Sequence, residues 1–316
     1  MEILVTRRLP GRALERLAQS CALDIWDKDC PIPKEKLLAR IKGKEGLLCL
    51  LTDPVDAIVI DAAGSLRIIA NYAVGYDNID IRAARERGIV ITNTPGVLTD
   101  ATADLAWALL FSVARRIVEA DVYLREGRWP GWDPNLILGC DIFGKTLGII
   151  GAGRIGTAVG LRSRGFNMRV VYVDERRNEV LESHVGAQRV ELDDLLLASD
   201  FISLHVPLTT GTRHLIGERK IALMKPTAVI INTSRGPVID EGALAEALRS
   251  GRIAGAGLDV FEREPQVHPG LMKLKNVVLL PHIASATVST RAKMADLAVD
   301  NILAFLRGET PPNRVV

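Results

Sequence analysis

The sequence lacks a strong bias toward one sign of charge. Its 40 Lys and Arg residues are almost balanced by 38 Asp and Glu residues, so that the formal net charge is only +2. It also lacks a block of Lys and Arg residues of the kind that a groove for a polyanion would need. We therefore expect no nucleic-acid partner.

Cysteine is scarce, and long apolar runs are missing. The four cysteines show no spacing typical of metal ligands. No apolar run reaches about 18 residues, the length needed to cross a membrane, and the first residues resemble a strand rather than a signal peptide. These features predict a cytoplasmic protein with reduced thiols, without a metal site or a membrane anchor.

Strand-like and helix-like segments alternate over most of the 316 residues. Strands are predicted at Ile3–Val5, Gly46–Leu51, Arg67–Ala70, Ile89–Thr92, Leu147–Ile150, Arg169–Val173, Phe201–Leu204, Ala228–Asn232, Gly255–Asp259 and Val277–Leu280. Long helical stretches are predicted from about Asp100 to Arg125 and from Thr287 to Leu306. This alternation predicts the α/β class, with two doubly wound parallel-sheet (Rossmann-like) domains and an interdomain cleft.

The most informative motif is the glycine-rich segment Gly151-Ala152-Gly153-Arg154-Ile155-Gly156. It follows a predicted strand and opens a predicted helix, and Asp174 lies 23 residues after Gly151, at the end of the next strand. Such glycines permit a tight turn and close approach of the backbone to a pyrophosphate, which the helix N-terminus attracts, while the acid suits ribose hydroxyls. The segment predicts a dinucleotide site, against the alternative of a glycine-rich turn without a ligand.

The order of the segments predicts an inserted domain. A dinucleotide-binding Rossmann domain is expected at residues 99–282, between two parts of a substrate-binding, flavodoxin-like domain at residues 1–98 and 283–316. In open α/β sheets, ligands bind beyond the carboxyl ends of the strands. Polar residues directly after the predicted strands are therefore functional candidates.

Three polar side chains lie after successive strands of the second block: Arg235, Glu264 and His282. Arginine can bind a carboxylate through two parallel hydrogen bonds. Histidine can carry a transferable proton near neutral pH, and a neighbouring carboxylate favours its charged form. With a nicotinamide cofactor to carry hydride, the three groups predict reduction of a 2-oxo acid to a 2-hydroxy acid.

On these motifs, the chain resembles the D-isomer-specific 2-hydroxyacid dehydrogenases, and within them the glyoxylate/hydroxypyruvate reductases. The resemblance covers nearly the whole chain and includes the segments at residues 71–80, 99–106, 151–156, 232–236, 257–265 and 281–283. It implies that Arg235 binds substrate and acts in catalysis, that His282 is the acid/base, and that Glu264 is its partner. The implied reaction converts glyoxylate to glycolate or hydroxypyruvate to D-glycerate.

The resemblance also implies the ligand contacts. For the substrate, these are Leu51, Thr52, Val74 and Gly75, together with Arg235 and His282. For the cofactor, they are Thr102, Gly151, Gly153, Arg154, Ile155, Gly156, Asp174, His205, Val206, Pro207, Thr233, Ser234, Asp259 and Ser285. Family members are typically dimers through the helix near residues 100–125, and Trp132 is the candidate for a tryptophan that reaches the partner's substrate site.

Asp174 favours NAD(H) as the cofactor, because its carboxylate would repel a ribose 2′-phosphate. NADP(H) stays possible, since Arg176 or Arg177 could hold that phosphate.

Two alternatives stay open. A bulkier substrate such as D-3-phosphoglycerate is one, although the sequence offers no obvious extra basic residue near Leu51 or Val74. The other is a non-enzymatic, NAD-sensing binding protein like the corepressors that share this fold, against which the presence of Arg235, Glu264 and His282 argues.

Overall fold

Short apolar strands pair in parallel to form two separate sheets, one in each of two units of the chain. The structure is a computed structural model that describes residues 1–316. The first unit comprises Met1–Leu98 and Ser285–Val316, and the second comprises Thr99–Ala284. The chain therefore passes twice from one unit to the other, after Leu98 and after Ala284.

The first unit contains a five-stranded parallel sheet. Its elements up to residue 98 are β1 (Glu2–Val5), α1 (Ala13–Ala18), β2 (Ala22–Ile25), α2 (Lys34–Arg40), β3 (Gly46–Cys49), α3 (Ala57–Ala63), β4 (Ile68–Asn71), α4 (Ile81–Glu86) and β5 (Val90–Thr92). The strand order β2-β1-β3-β4-β5 is that of flavodoxin-like sheets. The sequence did not predict β2, because this edge strand is only partly buried and contains Asp24.

The second unit contains a seven-stranded parallel sheet. Its elements are α5 (Thr99–Ala114), α6 (Ile117–Arg125), β6 (Thr146–Ile150), α7 (Arg154–Arg162), β7 (Arg169–Val173), α8 (Glu179–Val185), β8 (Gln188–Arg189), α9 (Leu192–Ala198), β9 (Phe201–Leu204), α10 (Glu218–Ile221), β10 (Val229–Asn232), α11 (Glu241–Arg249), β11 (Gly255–Leu258) and β12 (Val277–Leu279). The order β12-β11-β10-β9-β6-β7-β8 reverses direction between β6 and β9, as in a Rossmann sheet.

The last helix, α12 (Val288–Leu306), belongs to the first unit, where it packs on α1 and β4. None of the helices combines the length and the apolar character that crossing a membrane would take.

The helical stretch predicted from Asp100 to Arg125 is two helices rather than one. Between α5 and α6, Arg116 has a φ of 51°, in the left-handed region, which ends a right-handed helix. The Arg116 guanidinium pairs with Glu119 and donates to the Leu138 carbonyl oxygen, and these bonds stabilise the break. The two-residue strand β8 was also not predicted, because its exposed polar residues form no apolar run.

Candidate active site

The glycine-rich turn follows β6 at the point where the order of the strands reverses. Gly151 has a φ of 92°, and a Cβ atom there would lie 2.8 Å from the backbone of His205, which follows β9. A Cβ atom on Gly156 would lie 2.0 Å from the Gly151 carbonyl oxygen. Both positions therefore exclude a side chain, whereas a Cβ on Gly153 would have no neighbour within 4 Å, which leaves room for a ligand.

The polar groups around this turn suit a dinucleotide. Helix α7 begins directly after Gly153, and no side chain caps its first N–H groups. The Asp174 carboxylate lies at the same turn, because its Oδ2 accepts the Ala152 N–H at 2.7 Å and its Oδ1 accepts the Arg176 N–H at 3.1 Å. Uncapped N–H groups fit a pyrophosphate and the carboxylate fits ribose hydroxyls, so the residues present fit the predicted cofactor.

The His205 ring is part of the packing beneath the turn. Its Nε2 lies 2.8 Å from Ser203 Oγ, and its Nδ1 is buried without a partner in the chain. Burial lowers the pKa of His205 to about 3, so the ring is neutral at pH 7.

At the end of β10, Asn232 shapes the loop that carries Arg235. The Asn232 Nδ2 donates to the Arg235 carbonyl oxygen at 2.9 Å, and its Oδ1 accepts the N–H and the hydroxyl of Ser234 at 3.0 and 2.8 Å. A Cβ atom on Gly236 would lie 1.8 Å from the carbonyl carbon of Phe261. The backbone after Arg235 therefore packs directly on the segment that leads to Glu264.

His282 and Glu264 form a hydrogen-bonded pair, with 2.8 Å between Nδ1 and Oε2. Burial raises the pKa of Glu264, but the hydrogen bond and the charge of His282 lower it by more. The net pKa of Glu264 therefore lies below its usual value. The two side chains remain 23% and 28% exposed. Since Nδ1 is engaged and Nε2 bonds to nothing in the chain, Nε2 is the atom that can exchange a proton with a ligand.

Asp259 holds the backbone that follows His282. Its carboxylate is fully buried and accepts the N–H groups of Ile283 and Ala284, each at 2.7 Å. Burial raises the pKa of Asp259, and the two N–H donors partly offset this effect. His282 itself has a φ of 54°, in the left-handed region that residues other than glycine rarely adopt. The two bonds fix the peptides next to this unusual conformation and so orient the histidine.

In the first unit, the predicted substrate residues lie at the carboxyl ends of β3 and β4. Leu51 and Thr52 belong to the turn after β3, where the buried Asp53 carboxylate accepts the Leu50 N–H at 2.8 Å. Val74 and Gly75 belong to the loop after β4, and neither of their N–H groups donates to an acceptor in the chain.

Several other predicted site residues form no hydrogen bond with these groups, among them Thr102, Ser285 and Trp132. Thr102 is buried in the first turn of α5, Ser285 begins the last segment of the first unit, and Trp132 is 83% exposed between α6 and β6. Sequence reasoning, in turn, did not assign roles to the asparagines that hold the loops, Asn71, Asn78, Asn93 and Asn232. The available signal was that Asn71 and Asn232 are the last residues of β4 and β10.

The Rossmann sheet, the glycine-rich turn and the histidine–glutamate pair together define a nicotinamide-dependent dehydrogenase. The family described as D-isomer specific 2-hydroxyacid dehydrogenase, NAD binding domain, matches residues 107–284. The glyoxylate reductase of Korarchaeum cryptofilum is 54% identical, over 99% of this chain and 95% of that protein. The glyoxylate reductase of Thermococcus litoralis is 52% identical, over 99% of this chain and 96% of that protein.

Solved structures agree with these sequence matches. A protein from Thermus thermophilus superposes with a TM-score of 0.94 at 47% identity, over 100% of both chains. An NADPH-dependent glyoxylate/hydroxypyruvate reductase from Sinorhizobium meliloti, in complex with NADP and malonate, has a TM-score of 0.88 at 36% identity, over 100% of this chain and 96% of that one.

The chain belongs to the D-isomer-specific 2-hydroxyacid dehydrogenases. It is an NAD(P)-dependent oxidoreductase with an NAD-binding domain, and the predicted family, fold class and cofactor class are confirmed.

Proposed function

We propose that the protein reduces glyoxylate and hydroxypyruvate to glycolate and D-glycerate, with NADH preferred over NADPH. The observation that carries this proposal is the 2.8 Å bond between His282 Nδ1 and Glu264 Oε2, which leaves Nε2 open for proton transfer. The names of the relatives at 54% and 52% identity favour small 2-oxo acids as substrates. When bound, NADH supplies the hydride.

The chain's own residues bind the substrate and move the proton. In the proposed mechanism, the Arg235 guanidinium binds the substrate carboxylate and polarises the neighbouring carbonyl group, while the N–H groups of Val74 and Gly75 donate to the same carboxylate. Glu264 bonds to His282 Nδ1 and so holds the orientation of the ring. His282 then donates its Nε2 proton to the carbonyl oxygen as hydride reaches the carbon, and the ring becomes neutral. Leu51 and Thr52 would border the rest of the substrate.

The second unit would hold the cofactor. The pyrophosphate would meet the N–H groups of the turn at residues 151–156 and of α7, and Asp174 would accept hydrogen bonds from ribose hydroxyls. The further proposed contacts are Thr102, His205, Val206, Pro207, Thr233, Ser234, Asp259 and Ser285. Thr233 fits this role because its Oγ1 is buried and has no partner in the chain.

The preference for NADH is tested by Asp174→Ser, which removes the charge that a 2′-phosphate would meet. We expect the ratio of kcat/KM for NADH to that for NADPH to fall about 10-fold to 100-fold, the usual worth of hydrogen bonds to a charged group. Glu175→Ser makes the same change of charge one residue away and should change the ratio much less. A wild-type enzyme that prefers NADPH would contradict the assignment.

A homodimer formed through α6 and the segment after it is also proposed. No residue of α6 is buried, and its apolar side chains Ile117, Val118, Val122 and Leu124 are 43–57% exposed. An apolar patch of this kind is typical of an interface, and symmetric dimers are the commonest oligomers. In such a dimer, Trp132 would serve the partner's substrate site.

Light scattering of the purified protein tests the dimer. Val122→Glu should give a monomer, whereas Val180→Glu, which alters a valine of similar exposure (46%) on α8, should leave the dimer intact. A monomeric wild-type protein would contradict the proposal.

The central experiment is a turnover panel with NADH and NADPH against glyoxylate, hydroxypyruvate, pyruvate and 3-phosphohydroxypyruvate. The proposal expects the highest kcat/KM with glyoxylate or hydroxypyruvate. A clear preference for 3-phosphohydroxypyruvate would favour a phosphoglycerate dehydrogenase. Binding of NADH without turnover of any 2-oxo acid would favour an NAD-sensing protein.

A further inference from the structure

Donors of the first unit hold three successive carbonyl groups in the loop after β4. The Ala73 carbonyl oxygen accepts the Thr94 N–H at 2.9 Å. The Val74 carbonyl oxygen accepts from Asn93 Nδ2 at 2.8 Å, and the Gly75 carbonyl oxygen accepts from Asn71 Nδ2 at 2.8 Å. The orientation of every peptide from residue 73 to residue 76 is therefore set by a hydrogen bond.

Fixed carbonyl groups also fix the N–H groups of the loop. In a planar trans peptide, the C=O of one residue and the N–H of the next point in opposite directions. The bond to Ala73 therefore aims the Val74 N–H away from Thr94, and the bond to Val74 aims the Gly75 N–H away from Asn93. Since neither N–H has an acceptor in the chain, both are presented to a ligand, and successive N–H groups of this kind attract anions.

Asn78 connects this loop to the turn after β3. Its Nδ2 donates to the carbonyl oxygens of Leu50 and Asp53, both at 3.1 Å, and its Oδ1 accepts from Asn71 Nδ2 at 3.3 Å. The turn that contains Leu51 and Thr52 is thus linked through two asparagines to the loop that contains Val74 and Gly75.

The asparagines are themselves held in place. Asn71 is fully buried, and Asn93 is fixed through its backbone, because its carbonyl oxygen accepts from Asn301 Nδ2 at 3.2 Å and its N–H donates to the Asn313 carbonyl oxygen at 3.2 Å. An amide side chain can donate to a carbonyl group without adding charge. A lysine in place of an asparagine would draw the carboxylate toward its own positive charge, and an aspartate would repel the carboxylate. Asparagine therefore suits a loop that binds a carboxylate.

We infer that Asn71, Asn78 and Asn93 are positioning residues for this loop. Asn93 aims the Gly75 N–H at the substrate carboxylate before the substrate arrives, and Asn71, which bonds to Asn78, fixes the peptide that follows Gly75. The inference rests on the proposed function for the identity of the substrate. Donors that are already oriented stabilise a bound charge without the cost of reorganising the loop. The three asparagines would therefore control affinity for 2-oxo acids more than they control turnover.

The test removes one donor at a time. Asn93→Ala removes the donor that holds the Val74 carbonyl group, so that the direction of the Gly75 N–H is no longer fixed. We expect the KM for glyoxylate and the dissociation constant of oxalate, measured by calorimetry with NADH present, to rise about tenfold, as for a weakened bond to a charged group. The kcat should change much less, and the dissociation constant of NADH should stay the same. Asn78→Ala should act in the same direction.

Asn276→Ala is the matched control. Like Asn78, Asn276 is partly buried, and its Nδ2 donates to two backbone carbonyl oxygens, those of Leu248 and Ala254, at 3.2 and 3.3 Å in the second unit. This variant should lower the melting temperature without changing oxalate affinity. If Asn93→Ala does not fold, Asn93→Ser, which keeps a shorter donor, should still weaken oxalate binding.

Unchanged oxalate affinity in the folded Asn93 and Asn78 variants would overturn the inference and leave the asparagines with a structural role only. Equal losses of oxalate and NADH affinity would overturn it as well, because they would indicate a general disturbance. A wild-type enzyme that binds oxalate but does not reduce glyoxylate would instead refute the proposed function, and the positioning test would still apply to oxalate.

Discussion

The loops after β4 and β10 begin in the same way and then present different chemistry. Each strand ends in an asparagine whose Nδ2 donates to a carbonyl oxygen of the following loop, from Asn71 to Gly75 at 2.8 Å and from Asn232 to Arg235 at 2.9 Å. The loop after β4 then offers uncharged backbone N–H groups. The loop after β10 offers a guanidinium group.

This difference extends to the rest of the two units. The candidate residues of the first unit, Leu51, Thr52, Val74 and Gly75, carry no charge. Those proposed to do the chemistry in the second unit are Arg235, Glu264 and His282, and each proposed role depends on a charge or on a transferable proton. Substitutions in the second unit should therefore affect turnover most, whereas those in the first unit should affect substrate affinity.

The largest effect is expected for His282→Ala, which removes the proposed proton donor. Turnover should fall about 10²-fold to 10⁴-fold, the usual contribution of a positioned general acid, and NADH affinity should change little. Steady-state kinetics and NADH titration measure both. His184→Ala, at an exposed histidine of α8, is the control. Turnover near that of the wild type would remove His282 from the mechanism.

Arg235→Lys should have the next largest effect, because it keeps the charge but loses the planar pair of donors. We expect kcat/KM for glyoxylate to fall about 100-fold, the loss of about one strong charge-assisted pair of bonds. Arg85→Lys, at an exposed arginine of α4, controls for the substitution itself. Normal kinetics with lysine would mean that bidentate binding is the wrong description.

Two buried carboxylates, Asp259 and Asp53, test the expected difference between the two units. Asp259→Asn leaves only one oxygen for the two N–H groups of Ile283 and Ala284, so kcat should fall about tenfold as His282 loses its orientation. In the first unit, a single Asp53 oxygen accepts both the Leu50 N–H and the Thr6 hydroxyl, so Asp53→Ala is the change that removes the acceptor, and it should raise KM for glyoxylate instead. If both variants changed the same kinetic constant, the expected assignment of turnover to the second unit and substrate affinity to the first would be wrong.

A last expected effect is on stability at low pH, through His205. Its pKa is lowered to about 3 in the folded protein, from 6.5. The unfolded chain therefore binds a proton that the folded protein does not, and the contribution of the neutral ring is complete above pH 6.5 and is lost as the pH falls toward 3. The unfolding free energy should drop by about 1.4 kcal/mol per pH unit in this range because of His205.

Urea unfolding at pH 7 and pH 5.5 measures this loss. His205→Gln cannot take up the proton and should show a flatter dependence of the unfolding free energy on pH than the wild type. Equal slopes for His205→Gln and the wild type would show that the buried ring does not titrate as described.

Much of this molecule could be predicted from the sequence, because the relevant signals are local. Apolar runs predicted most strands of both sheets, and the spacing of Gly151, Gly153, Gly156 and Asp174 predicted the dinucleotide turn. Arg235, Glu264 and His282 were predicted as site residues because they lie after predicted strands. The short or partly exposed strands β2 and β8 and the break at Arg116 were not predicted, since exposed edges and single residues leave no apolar pattern.

The sequence by itself thus determined the fold class, the family and the residue types at the site. Only the tertiary structure decided which atoms meet. Asn93 holds the Val74 carbonyl group from 19 residues away, and Asp259 holds the Ile283 N–H from 24 residues away. The His205 ring lies beside Ser203, with its Nδ1 buried. Contacts of this kind depend on how strands and loops are brought together in space, and no local pattern of residues encodes them.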